Sequence, residues 1–132
     1  MLYEEITQRV IGCAMRVHST MGNGFQETVY QRALDIEMVH DNLSFEREKT
    51  MNLFYRNKPV GDRRVDFFVE GIVLVELKAV IELQDVHYAQ AMNYLEAFEK
   101  EIGLLVNFGS RSLQFKRLHN NKLIKKQLRS EP

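Results

Sequence analysis

The fold of this chain is decided by one stretch of its sequence, RVDFFVEGIVLVELK at residues 64–78. Two extended segments, 64–69 and 72–78, meet at Glu70-Gly71, and this pattern predicts a β-hairpin. The second segment is apolar at every position from Ile72 to Val75. Such a continuous apolar run is typical of a central strand that is covered on both faces.

Apart from Arg64 at its start and Glu70 in its turn, three charged residues interrupt this hairpin, namely Asp66, Glu76 and Lys78. Burying an unpaired charge is costly, so these side chains need partners, a cleft or a metal ion. Glu76 and Lys78 are two residues apart on a strand and therefore point to the same face. The three charges make this hairpin the leading candidate for a functional site.

The turn decides whether Asp66 shares the face of Glu76. A two-residue loop at Glu70-Gly71 would pair Asp66 with Val75 and turn it away from Glu76. A three-residue loop over 69–71, with Gly71 left-handed, pairs Asp66 with Leu74 and leaves it diagonally beside Glu76. Because Gly71 suits the longer loop, we predict that register.

Two carboxylates and an ammonium on one patch of sheet are a plausible magnesium site. Mg²⁺ prefers oxygen ligands and keeps several waters, one of which could act as the nucleophile. Lys78 could orient or help deprotonate that water, or neutralise a phosphate. The alternative is an ordinary ion pair between Lys78 and Glu76 or Asp66 at the end of the strand.

Outward from the hairpin, the pattern predicts a mixed sheet with helices, in the order ααβββ(β)αββ. Helices are predicted from Tyr3 to about Met21, from about Gln26 to Val39, and from a cap at Asp85 to about Lys100. Their predicted buried stripes are Ile6, Val10, Cys13, Ala14 and Val17; Val29, Ala33, Leu34, Ile36 and Met38; and Tyr88, Met92, Leu95 and Phe98. One long strand or two short strands are predicted over 43–55, and single strands over 102–108 and 113–118, with a turn at 56–59.

Two further polar groups could support a site. His87, Gln90 and Tyr94 follow the helical spacing i, i+3, i+7, and this stripe could face the carboxylates or simply meet solvent. Glu27 begins the second helix, where the helix dipole favours an acid whether or not a site is present.

Charge is balanced overall, with 18 basic and 18 acidic residues, but it is unevenly distributed. Residues 1–109 carry a net charge of −6, and residues 110–132 carry a net charge of +6. The basic strip 110–132 could hold phosphates or could be a solvated tail. Its candidate nucleic-acid ligands are Lys116, Arg117, Lys122, Lys125 and Lys126.

Length and composition narrow the class of protein. A chain of 132 residues with 45% hydrophobic and 27% charged residues predicts a single globular domain over 1–132. One cysteine, Cys13, excludes an internal disulfide and a cysteine-based zinc cage. The short aliphatic runs and the N-terminal sequence MLYEE predict no membrane span, no signal peptide and a cytoplasmic location.

Several motifs in one order resemble the GxxExxY protein family. The signature is GFQETVY at residues 24–30, followed by VELKAV at 75–80 and IGLLVNFG at 102–109. Val65-Asp66, His87, Gln90 and the Asn93-Tyr94-Leu95 triplet fall between or beside them. That family is grouped with the PD-(D/E)XK nucleases, so the resemblance implies an α/β fold with a restriction-endonuclease-like core.

The resemblance also implies roles. Asp66 and Glu76 resemble the metal carboxylates, Lys78 the active-site lysine, and the carbonyl of Leu77 a further ligand. Glu27 resembles the acid that some members place near the metal. Gln90 and Tyr94 are similar to a Q-x-x-x-Y motif that supports the site and contacts DNA. Val65 departs from the usual proline without affecting a ligand.

The implied function is a Mg²⁺- or Mn²⁺-dependent nuclease that cleaves DNA. One alternative is a nuclease-fold module that binds nucleic acid or a partner without turnover. Another is a hydrolase of a different phosphate compound. Exposed sheet edges and a small core make a homodimer or a protein partner reasonable.

Overall fold

Five strands form one mixed sheet, with helices on both faces. The computed structural model describes residues 2–123. Its elements follow the predicted order ααβββαββ and have these bounds: α1 Leu2–Met21, α2 Glu27–His40, β1 Phe45–Tyr55, β2 Lys58–Val69, β3 Val73–Lys78, α3 Asp85–Ala97, β4 Ile102–Asn107 and β5 Gln114–His119. The predicted fold class, a mixed α/β sheet flanked by helices, is confirmed.

The centre of the sheet is the pair β3 and β4. The strand order is β1-β2-β3-β4-β5, and every neighbouring pair is antiparallel except β3 and β4, which are parallel and joined through α3. Every residue of β4 is buried, as is every residue of β3 except the partly buried Lys78. The predictions of a central strand at 72–78 and of a strand at 102–108 are confirmed.

Helices α1 and α2 cover one face of the sheet, and α3 covers the other. The predicted stripe of α1 is buried throughout. On α2 the buried stripe is Tyr30, Leu34 and Met38, so Ile36, two positions away, points outward and is 70% exposed. The predicted burial of Tyr88 is also wrong, since α3 packs through Ala91 and Leu95. Within residues 2–123, no helix has the length and hydropathy that a bilayer span requires.

The ends of α3 differ from the prediction. Gln84, not Asp85, is the N-cap, and its backbone N–H donates to Nδ1 of His87 at 3.0 Å. The helix ends at Ala97 because Glu99 adopts a left-handed conformation (φ 52°), which stops the helical hydrogen-bond pattern before Lys100.

The predicted register of the β2–β3 hairpin is wrong. Val69 pairs with Val73, and both Glu70 (φ 55°) and Gly71 (φ 65°) are left-handed, so the loop begins one residue later than predicted. The prediction gives the left-handed conformation to Gly71 alone, but Glu70 adopts it as well. Continuing the observed register places Asp66 opposite Glu76, so the two carboxylates still lie close together.

The β1–β2 hairpin projects beyond the rest of the sheet. These strands pair from Phe45 to Lys58, whereas β2 pairs with β3 only from Phe67 onward. The turn is the left-handed pair Arg56-Asn57 and β2 begins at Lys58, whereas the prediction is a longer turn over 56–59 and a strand that begins at Arg64. All residues from 54 to 62 are exposed. We call residues 54–62 the arm.

Candidate active site

A polar cluster lies where β2 separates from β3. Asp66 comes from β2, Glu76 and Lys78 come from β3, and Glu27 is the first residue of α2. Regular pairing between β2 and β3 ends at Phe67, so Asp66 occupies the point where the two strands part. The structure therefore brings the three predicted catalytic residues together with Glu27, which was predicted as a supporting residue.

Asp66 is held in place from two sides. Its Oδ2 accepts a hydrogen bond from the backbone N–H of Leu77 at 2.8 Å, and its Oδ1 accepts one from the side chain of Gln31 at 2.8 Å. Burial raises the pKa of Asp66, while these two hydrogen bonds act in the opposite direction. Its orientation is thus fixed by β3 and α2 together.

Glu76 is a buried acid paired with an arginine. It is 3% exposed, and its Oε2 accepts a hydrogen bond from Nη2 of Arg63 at 2.8 Å. Burial, and then the charge of Asp66, raise the pKa of Glu76 to about 7 despite Arg63. The Oε1 atom of Glu76 has no hydrogen-bond partner among residues 2–123. Arg63 therefore compensates this carboxylate only in part.

Glu27 adds a third carboxylate to the cluster. Burial raises its pKa, the charge of Asp66 adds to the rise, and Lys78 and Arg63 oppose it. Three acids thus share a region with one lysine and one arginine. This arrangement favours an additional cation, because the charge of Asp66 disfavours the ionisation of both Glu27 and Glu76.

Helix α3 supports the basic residues of the site through the predicted Gln90–Tyr94 stripe. The Nζ of Lys78 donates a hydrogen bond to Oε1 of Gln90 at 3.2 Å. The guanidinium carbon of Arg63 lies 5.0 Å from the centre of the Tyr94 ring, a cation–π contact. His87, one turn earlier, accepts the hydrogen bond at the N-cap of α3. It therefore stabilises the start of the helix.

The segment GFQETVY at residues 24–30 positions Glu27. Tyr30 is fully buried, and its ring stacks on Phe108 with the ring centres 4.7 Å apart. Its hydroxyl donates to the carbonyl of Gly22 and accepts from the N–H of Phe25. These bonds tie the loop between α1 and α2 to the core and so fix where α2 begins.

A buried asparagine secures the chain that leaves β3. Asn107 is 0% exposed, and its amide bonds both the N–H and the carbonyl of Val80 at 2.9 Å. Its Oδ1 also accepts from the N–H of Gly109 at 3.1 Å. These contacts hold the backbone two residues beyond Lys78, and so they support the position of that lysine.

The basic strip does not converge on this cluster. Lys116 and Arg117 lie on β5, where Arg117 donates to Thr7 of α1 at 3.3 Å. Lys122 pairs with Glu96 near the end of α3 at 2.8 Å, away from the end of the sheet that carries Lys78. The other two candidates, Lys125 and Lys126, lie outside the described residues.

Sequence reasoning missed Gln31, Arg63 and Asn107. Gln31 carried a signal, since it lies one helical turn after Glu27 on the same face of α2. Arg63 carried none, because a separation of three residues from Asp66 predicts opposite faces. The alternation of side-chain faces along β2 is broken near Asp66. Val65 and Phe68 are three residues apart and yet join the same hydrophobic cluster. Across from Asp66 on β1, Glu48 is left-handed (φ 54°).

The donor set fits a hard divalent cation. Oxygen ligands are what Mg²⁺ prefers, and Oε1 of the buried Glu76 has no hydrogen-bond partner among residues 2–123, although the Nε of Arg63 is likewise buried without an acceptor. In the part of the chain that the structure describes, no three His, Cys, Asp or Glu side chains are arranged as they stand to hold a metal ion. Glu76 points to Arg63 instead.

Comparison with known proteins identifies the family and the fold of this chain. A model of the family described as the PD-(D/E)XK nuclease superfamily matches residues 4–118. A solved structure titled "Crystal structure of SSO0001" is similar in fold, with a TM-score of 0.55 and 16% identity over 80% of this chain. The present chain spans 59% of that chain. A search of curated protein sequences found no match.

Proposed function

Because the chain belongs to the PD-(D/E)XK nuclease superfamily, we propose that it hydrolyses phosphodiester bonds in DNA with Mg²⁺ or Mn²⁺. The observation that carries the proposal is the meeting of Asp66, Glu76 and Lys78 where β2 and β3 part. Members of this superfamily generally use divalent metals. Membership of the narrower GxxExxY family stays a prediction.

Each residue of the cluster has a role in this proposal. Asp66, Glu76 and the carbonyl of Leu77 would hold the cation. When bound there, the cation supplies Lewis-acid chemistry that stabilises charge on the scissile phosphate. Lys78, held by Gln90, orients the attacking water and neutralises the phosphate. Glu27 completes the acidic side of the site.

A second candidate function is a nuclease-fold module that binds nucleic acid or a partner without turnover. The observation that favours it is the ion pair between Glu76 and Arg63, in which the arginine takes the place of a metal as the positive partner. Binding of a divalent cation separates the two candidates, since the nuclease requires it and the binding module does not.

The test is a cleavage assay on linear, circular and single-stranded DNA with Mg²⁺ or Mn²⁺. Loss of Lys78 or of the Glu76 charge should lower the rate at least about 100-fold, because groups that act on charge in the transition state contribute on this scale. The variants are Lys78→Ala and Glu76→Gln. The matched control is Lys100→Ala, a lysine beyond the far end of α3 whose ammonium lies over Phe68.

Each outcome has a distinct meaning. Cleavage at the wild-type rate by both site variants would contradict the assignment of the site. If wild-type protein cuts no DNA and binds no metal in calorimetry, the binding module is supported. Metal binding without cleavage would instead indicate a different phosphate ester or a missing partner.

A further inference from the structure

The arm, residues 54–62, is a two-stranded ribbon that lies outside the hydrophobic core. Its strands bond to each other, and the opposite edge of β2 is unpaired with β3 before Phe67. At its base, Met51 and Leu53 pack against the cluster under α3, and beyond them every residue is exposed. The side chains of the arm therefore take no part in the hydrophobic core.

The charge of the arm is opposite to that of the body that carries it. Within residues 54–62 the arm has two basic residues, Arg56 and Lys58, and one acidic residue, Asp62, so its net charge is +1. Residues 1–109 as a whole have 11 basic and 17 acidic residues. A polyanion that approaches this acidic surface would be attracted at the arm.

The arm also exposes large apolar side chains beside these cations. Phe54, Tyr55 and Val60 are 62%, 66% and 65% exposed, and the guanidinium carbon of Arg56 lies 5.9 Å from the centre of the Tyr55 ring. Apolar side chains interleaved with cations suit a surface that binds duplex DNA, where the cations meet phosphates and the apolar groups contact thymine methyl groups in the major groove.

We propose that the arm enters the major groove of duplex DNA and holds it against the active site. This inference rests on the proposed function and names its substrate as double-stranded. The major groove of B-DNA is about 12 Å wide and 8.5 Å deep and admits a two-stranded β-ribbon. The exposed residues 58–62 of β2 extend about 16 Å at roughly 3.3 Å per residue, which exceeds that depth.

The arm and the site share one continuous strand. Asp66 lies four residues after Asp62 on β2, a distance of about 13 Å along the strand. A duplex gripped by the arm therefore has phosphates within reach of Asp66 and Lys78. The ribbon fixes the position of the DNA, while the carboxylate cluster meets its backbone.

A second copy of the chain is the other partner that the arm could bind. Edge strands that carry lysine and proline resist pairing with another strand, and Lys58 and Pro59 lie on the arm portion of β2. Two arms with the same positive charge would also repel each other. These features favour a polyanion over self-association.

The experiment measures DNA binding by fluorescence anisotropy, with a labelled duplex of about 30 base pairs in EDTA to prevent cleavage. Arg56→Ala/Lys58→Ala should weaken binding on the order of tenfold or more and reduce the slope of log K against log salt by about 2. The control, Arg16→Ala/Arg32→Ala, removes the same charge from α1 and α2 and should bind like wild type.

Three results would overturn the inference. The first is an arm variant that binds duplex as tightly as the control does. The second is a loss confined to a single-stranded oligonucleotide of the same sequence, which would exclude the groove. The third is a change from dimer to monomer in sedimentation with unchanged duplex binding, which would make the arm a contact between copies.

Failure of the proposed function is distinguishable from failure of this inference. If wild-type protein cuts no DNA yet binds duplex through the arm, the nuclease proposal fails and the arm remains a DNA contact. If wild-type protein cuts DNA and the arm variant binds normally, the nuclease stands and the arm proposal fails.

Discussion

At the scale of single residues, the site holds opposite charges that are largely buried. Glu76 has lost almost all contact with solvent, and Arg63 is its one ionic partner in the described chain. Removing one member of a buried pair costs more than the pair contributes, because the remaining charge stays desolvated. The arginine is thus needed for stability as well as for the site.

Replacing Arg63 by methionine should lower the free energy of unfolding by about 2 kcal/mol in EDTA, because Glu76 loses its charged hydrogen-bond donor. Urea denaturation measures the change. The control is the neighbouring Arg64→Met: Arg64 is 69% exposed and lies 3.9 Å from Glu48, so its loss should cost at most about 1 kcal/mol. Equal losses in the two variants would show that Arg63 does not stabilise Glu76.

The residues of the site differ in how far the sequence reveals them. Asp66, Glu76 and Lys78 can be recognised from the sequence, because charged residues in an apolar hairpin are costly to bury without a partner. Arg63 does not, because its approach to Glu76 depends on the break in alternation near Asp66, which no local pattern marks. Sequence reasoning thus finds the costly charges more readily than the partners that compensate them.

At the scale of elements, the site depends on how the chain leaves β3 and β4. The segment after Lys78 passes directly over the segment after Asn107, and the two are joined by the amide of Asn107. Such a close approach of two backbones leaves no room for a side chain at the crossing point. Gly109 occupies that point.

Gly109→Ala should therefore be strongly destabilising. A Cβ atom there would lie 2.4 to 2.6 Å from backbone atoms of Val80 and Ala79, so one segment must move. We expect a loss of about 3 kcal/mol or more, at the upper end of overpacking effects. Thermal and urea denaturation provide the measurement.

Gly61→Ala is the matched control, because a Cβ at Gly61 meets no atom within 4 Å. Its stability should equal or slightly exceed that of wild type, since alanine restricts the unfolded chain more than glycine does. A similar loss in both variants would contradict the role assigned to the close approach at Gly109.

At the scale of the whole molecule, the order of elements was predictable and the extent of strand pairing was not. Apolar runs and helical stripes depend on local periodicity, and these gave the predicted ααβββαββ order. How far β1 and β2 extend together is set by partners distant in sequence. The arm was therefore predicted only as a turn, and its length became evident from the structure alone.

This unequal pairing predicts unequal stability across the sheet, which amide hydrogen exchange can measure. Amides of residues 73–75 of β3 and of β4 should exchange only through global unfolding, because these segments are buried and have paired neighbours on both edges. Amides of residues 54–62 should exchange orders of magnitude faster, through local opening of an exposed two-stranded ribbon. Uniform protection of the arm and the central strands would contradict this view. It would mean that the arm is held by contacts as strong as those of the core, and so is not a ribbon free to enter a groove.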